Sequence, residues 1–457
     1  MKNINSKIIS ALLLIVFCLT ACANPPAAKD ALPDDAPRAD MLPEASSSLV
    51  LYDYPGQTEL LKKAIAVFER DYPHVAVEFS TFGDLSESSA INRFYEEFYT
   101  QLESGSGPDV VLMGADAMWL QTLKWDIYAD LDSFIGRDGE FVMSEYNEAA
   151  FDTGIFRETR RSVPVFFKSE LWLTTQEILD ANGITLTDGA LKLEELSTQM
   201  EAFRLAHPNK RLIIDTVSGR MLNKLLPWYG LPLVDYAQET VTANADELRP
   251  VVDFYKDYLY EHDRVNPPAI FPTLGMPIIN GECVFMRFSR FEELMMAYAG
   301  LKSRGTPVLV SCPPLDSQTV GEPTLFAQIL KNSPNQENAY NFLKILLSDE
   351  IQSDIESTSF SIALPIKRSA MDAKAQRIAA ELCPPGKSTR YAPVEFAQLT
   401  DQDISSITQM AYDIDRFVVD PLWFEASIAM LPYFEGTSTY EICFESFVEQ
   451  ASFLLTE

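Results

Sequence analysis

The sequence predicts an α/β fold with parallel strands, and three observations carry that expectation. Strand-like and helix-like patterns alternate from residue 48 to residue 113, the signature of strands linked by right-handed crossovers. The third of these strands, Asp109-Val110-Val111-Leu112-Met113, is a nearly unbroken apolar run, as a strand covered on both faces must be. The chain has 457 residues, 47% of them hydrophobic, which is enough to bury a large core without disulfides or a structural metal.

Each element has its own reason. Ser48 to Tyr52 reads as a short strand, closed by the turn Asp53-Tyr54-Pro55-Gly56. Leu60, Leu61, Ala64, Ile65 and Phe68 recur at helical spacing, and Tyr72-Pro73 stops that helix. Val75, Val77 and Phe79 alternate as a second strand. Ile91, Phe94, Tyr95, Phe98 and Leu102 mark a second helix, broken by Ser104-Gly105-Ser106-Gly107-Pro108. Val163 to Phe167 is an isolated extended run and the first candidate boundary. Beyond it, helices are expected over Glu170 to Asn182, Lys192 to Leu205, Asp246 to Tyr260 and Asn335 to Leu347. Strands are expected at Leu212–Ile214, Cys283–Met286 and Thr324–Leu330, and the C-terminal third reads as helical, closing with Tyr440 to Leu455.

The first line of the sequence concerns destination. Lys2 and Lys7 precede an apolar stretch from Ile8 to Phe17, too short to span a bilayer, and Leu19-Thr20-Ala21-Cys22 resembles a bacterial lipobox. Residues 1–22 are therefore expected to be a lipoprotein signal, with Cys22 carrying the lipid. Residues 23–48 are rich in Pro, Ala and acidic side chains and lack periodicity, so they read as a disordered tether. The expected location is the outer face of the cell membrane, with the lipid as the only membrane contact.

Composition excludes several classes. Lys and Arg number 36 against 66 Asp and Glu, a net charge of −30, which opposes binding to nucleic acid or broad docking on an anionic membrane. His74, His207 and His262 have no local metal-ligand spacing, and no metal or cofactor is expected. Cys283, Cys312, Cys383 and Cys443 are scattered, and both disulfides and unpaired core thiols remain open. No nucleophile-elbow, zincin or P-loop motif occurs, so an enzyme is not expected.

Leu60 to Pro73, Gly107-Pro108-Asp109-Val110-Val111, Ser162-Val163-Pro164-Val165, Asn280 to Met286, Asn332 to Leu343, and Gly436 to Glu441, in that order, resemble the extracellular solute-binding proteins of family 1, the sugar-binding receptors of ABC importers. The usual Tyr-Asn pair after the crossing strand is replaced around Leu171-Trp172-Leu173-Thr174. The resemblance implies a two-lobed, type II periplasmic-binding-protein-like fold, with lobes joined by crossing hinge strands. Lobe one would comprise residues 49–162 and 324–390, and lobe two residues 163–323 and 391–457. It further implies a monomer that captures a small solute, a sugar or oligosaccharide being the expected class, and hands it to permease subunits. A surface adaptor or sensor uncoupled from import, and a lipid-anchored glycoside hydrolase, are the alternatives.

Candidate ligand residues follow. Asp53 and Tyr54 succeed the first strand and Asp116 succeeds the third, where loops at carboxyl ends of parallel strands face a binding crevice. Asp53 also suits a turn, and Asp116 also suits a helix N-cap. Trp228 and Tyr229 lie where the resemblance implies a cleft-facing Tyr-Gly, core packing being the other reading. Arg287 offers a cation after its strand, or a surface ion pair. Trp423 stands where the resemblance implies a stacking aromatic, or packs within a helix.

Overall fold

A computed structural model describes residues 47–83, 87, 89–169, 171–186, 192–208, 210–215, 229–260, 276–288, 290–311, 319–354, 364–388, 394–419 and 422–456. All belong to the compact unit Ser46–Glu457. The expected signal with Cys22, nearly all of the tether, Trp228, His262 and Cys312 lie outside the described residues.

The expected alternation opens the fold. Strand β1 (Ser47–Tyr52) leads to helix α1 (Thr58–Asp71), β2 (Val75–Ser80), α2 (Ala90–Ser104), β3 (Val110–Met113) and α3 (Ala117–Lys124). Helix α1 buries Leu60, Leu61, Ala64, Ile65, Val67 and Phe68, and α2 buries Phe94, Tyr95 and Phe98, so each lays one apolar face on the sheet. β1 pairs in parallel with both β2 and β3. β1 starts at Ser47, two residues inside the stretch read as tether, because Ser47 and Ser48 pair with Val75 and Ala76.

The strands that follow are β4 (Ile155–Phe156), β5 (Thr159–Arg160), β6 (Val163–Ser169), β7 (Leu171–Thr175), β8 (Arg211–Asp215), β9 (Val234–Asp235), β10 (Thr240–Val241), β11 (Cys283–Phe288), β12 (Pro307–Ser311), β13 (Val320–Ile329), β14 (Leu364–Pro365) and β15 (Arg416–Phe417). The first sheet runs β14-β6-β13-β3-β1-β2, with β15 beside β13. The second runs β12-β7-β11-β8, and β4–β5 and β9–β10 are two small hairpins. The run Val163–Phe167 is thus no isolated strand: β6 lies inside the first sheet and then leads directly into the second.

Residues Leu171–Thr175 depart from the expected helix. All five are buried, and they pair with β11 on one side and β12 on the other. A continuous apolar run buried on both faces favours a strand, and the helix begins only at Gln176, capped by the Thr175 hydroxyl accepting from the Ile178 amide. The later strand also begins earlier than expected, at Val320, and β15 joins the first sheet although it falls within 391–457.

Two fragments behind the family resemblance meet in space. The Asp109 carboxylate accepts from the Val50 amide (2.8 Å), the Ser333 hydroxyl (2.5 Å) and the Asn335 side-chain amide (3.2 Å). The buried aspartate of the Gly-Pro-Asp turn therefore ties β1 to the segment that enters the helix Gln336–Leu346.

Strand directions define the working edge. β13 runs antiparallel to β3 and to β6, so β1, β3 and β6 all end at one edge of the first sheet. The chain leaves that edge between Ser169 and Leu171 and returns to it between Ser311 and Val320. Leu171 pairs with Phe288 and with Ser311, so both crossings also meet the carboxyl end of β11 in the second sheet. The carboxyl edges of the two sheets thus share the crossing strands.

Candidate functional site

At the edge of the first sheet an acid–tyrosine cluster forms. Asp116 caps α3: its Oδ1 accepts from the Trp119 amide (2.9 Å) and from the Tyr95 hydroxyl (2.6 Å). Its Oδ2 accepts from the Tyr54 hydroxyl (3.0 Å). Burial raises the Asp116 carboxyl above its ordinary value, while these donors pull the other way. The Tyr54 ring sits edge-on to Phe94 and lies over Gly114, where a Cβ would come within 2.9 Å of it. Tyr99, one turn after Tyr95 on α2, keeps a hydroxyl without a partner among the described residues, and burial raises it to about 12.

Asp53 is fully buried at the end of β1. Its Oδ2 accepts from the Thr58 hydroxyl (2.8 Å), whereas Oδ1 has no partner among the described residues. Burial pushes its carboxyl up to about 7 despite the Thr58 bond.

The crossing strands carry a second group. Lys168 and Glu322 are direct cross-strand partners on β6 and β13, and Lys168 Nζ lies 3.0 Å from Glu322 Oε2. The same ammonium sits 5.0 Å from the ring centroid of Trp423, the first residue of the helix Trp423–Ala429. Trp423 is partly buried against the core. An aromatic face and a fixed cation therefore stand at the edge from which the acid–tyrosine cluster also rises.

Two further expected residues are buried. Tyr229 is 3% exposed and its hydroxyl accepts from the Asn244 amide (3.0 Å), so its polar atom is engaged inside the fold. Arg287 is 5% exposed near the carboxyl end of β11, opposite Trp172 in register, rather than at a surface ion pair. The cation beside the aromatic ring is Lys168. Lys168, Glu322, Tyr95 and Tyr99 escaped the sequence reading. The available signals were a single charge in the apolar run Val163–Phe167 onward, and two tyrosines four apart on one helix face.

No group of three or more His, Cys, Asp or Glu able to hold a metal occurs among the described residues. Cys283, Cys383 and Cys443 are buried and unpaired. Burial lifts the Cys283 thiol strongly and Cys383 to about 12, the opposite of what a cysteine nucleophile needs.

No family model and no curated protein matches the sequence. Solved structures do match. The sugar-binding protein MalE from the phytopathogen Xanthomonas citri has a TM-score of 0.64 at 14% identity, covering 90% of this chain and 98% of that one. The ABC substrate-binding protein Lmo0181 from Listeria monocytogenes, in complex with cycloalternan, has a TM-score of 0.58 at 13% identity, covering 90% and 100%. A de novo designed cysteine esterase has a TM-score of 0.59 at 15% identity, covering 90% and 98%. The fold is the two-lobed α/β architecture of periplasmic solute-binding proteins, with lobes joined by crossing strands, as the family resemblance implied. Since a designed esterase shares it, chemistry must be argued from the site, not from the fold.

Proposed function

We propose that this protein is the lipid-anchored receptor of an ABC importer, capturing a carbohydrate by closure of two lobes and performing no chemistry on it. The carrying observation is that two groups lie toward one edge of the first sheet: Asp116 with its tyrosines after β3, and Lys168, with Trp423 beside it, near the end of β6. Aromatic faces suit the apolar faces of sugar rings, and carboxylates and phenols suit their hydroxyls. The proposed lobes are residues 49–162 with 324–390 and residues 163–323 with 391–457, joined where the chain passes from β6 to β7 and from β12 to β13. Closure requires the ligand to touch both sides, because only differential affinity shifts a conformational equilibrium.

Cys22 is the proposed acylation site, which holds the protein on the outer face of the cell membrane; Cys22→Ser should release it to the soluble fraction. Permease subunits are the proposed partners, and loss of solute uptake on deletion of the gene tests that role. The site itself is tested by a thermal-shift screen of saccharides, since a bound ligand raises apparent stability by mass action. For the saccharide found, Asp116→Ala and Trp423→Ala should each weaken binding while circular dichroism stays native. Unchanged affinity in both variants overturns the site.

A further inference from the structure

Lys168 is the one residue in the run Val163–Ser169 that carries a charge, and its surroundings give that charge a direction. Directly paired residues share a face of a sheet, so Lys168 and Glu322 point the same way. Arg416 pairs with Val320, two residues before Glu322, and so joins them on that face. Glu322 is buried, with 6% of its side chain exposed, whereas 26% of the Lys168 side chain remains open. The ammonium carries three N–H donors and stands 3.0 Å from Glu322 Oε2. The ring of Trp423 holds the ammonium in place from the side.

From this arrangement we infer that the captured ligand is an acidic saccharide whose carboxylate is received by Lys168 while its ring lies along Trp423. The inference rests on the reading of this edge as a solute site and names the ligand class. The physical reason is desolvation. When the lobes close over the crossing strands, Lys168 loses water, and a buried ammonium is costly unless its donors find acceptors. A carboxylate meets that demand with charge-assisted bonds about twice as strong as those of a neutral hydroxyl. The acids of the Asp116 cluster offer such a ligand little repulsion. The Asp116 oxygens already receive two phenols and a backbone amide, and the Asp53 carboxyl is fully buried.

The test compares matched pairs: uronate trisaccharides from galacturonan and alginate, each with its carboxyl-reduced neutral counterpart, titrated calorimetrically into the full chain. At least one acidic member should bind tenfold or more tightly than its neutral partner. That preference should shrink with added sodium chloride, fall toward unity in Lys168→Met, and survive in Lys168→Arg. If Lys168→Met does not fold, the salt dependence of the wild-type ratio decides. Neutral members binding as well as or better than the acidic ones overturn the inference and leave the proposed receptor standing. Failure of every acidic and neutral saccharide to bind overturns both.

Discussion

Replacing Asp53 by Asn should make the protein more stable at alkaline pH and change it little at acid pH. The carboxyl is fully buried, with one oxygen bonded by Thr58 and the other without a partner among the described residues. Burial holds its folded-state value at about 7 against an ordinary 3.8. A raised carboxyl binds its proton more tightly in the folded state. Its contribution to stability is therefore fully present below about pH 4 and is lost as pH climbs to and through about 7. At roughly 1.4 kcal/mol per unit, the loss is about 4 kcal/mol. Asn keeps an acceptor for Thr58 and carries no charge, so Asp53→Asn should match wild type within about 1 kcal/mol at pH 4.5. It should exceed it by about 4 kcal/mol at pH 8.5. Urea unfolding of both proteins across that range, without ligand, reads the difference directly. A gap that does not change with pH would refute the reasoning, since it would mean that Asp53 ionises in the folded protein as freely as in the unfolded one.

Three further outcomes are expected. Asp109→Ala removes the acceptor for Val50, Ser333 and Asn335 and should cost about 3–5 kcal/mol in the same unfolding assay. Tyr95→Phe deletes the 2.6 Å bond to Asp116, and a bond to a charged group is worth about 1.5–3 kcal/mol; stability should fall by that order and saccharide affinity should fall with it. Gly114→Ala places a methyl within 2.9 Å of the Tyr54 ring, which should displace the ring, cost about 1–3 kcal/mol and loosen the Asp116 cluster, seen as a lower Tm and weaker ligand binding.

Local pattern made the first third of the fold legible. Helices α1 and α2 each present a periodic apolar face, and β3 is an apolar run between turn residues, so their identity follows from side-chain spacing alone. The capping role of Asp116 was legible for the same reason, because an N-cap is read from its own neighbours. Leu171–Thr175 was misread because its apolar run continues without a break into helical spacing, and only pairing with β11 and β12 decides for a strand. Tyr95 looked like core because its ring is buried, yet its hydroxyl reaches Asp116. Lys168 and Glu322 stand far apart in sequence, and nothing local to either announces a contact that the register of β6 on β13 creates. Arg287 offers a cation because it follows its strand, whereas its burial near the carboxyl end of β11 depends on the second sheet's pairing. Trp423 could be placed by resemblance, whereas the ammonium over its ring could not.

The proposed receptor works by two lobes that shut around a solute at their common edge. Small-angle X-ray scattering on the chain, free and then saturated with the saccharide that most raises its Tm, tests this most directly. The radius of gyration should fall on saturation, with no such contraction when Trp423→Ala or Asp116→Ala is given the same saccharide at the same concentration. An unchanged scattering curve with a solute shown to be bound would contradict lobe closure.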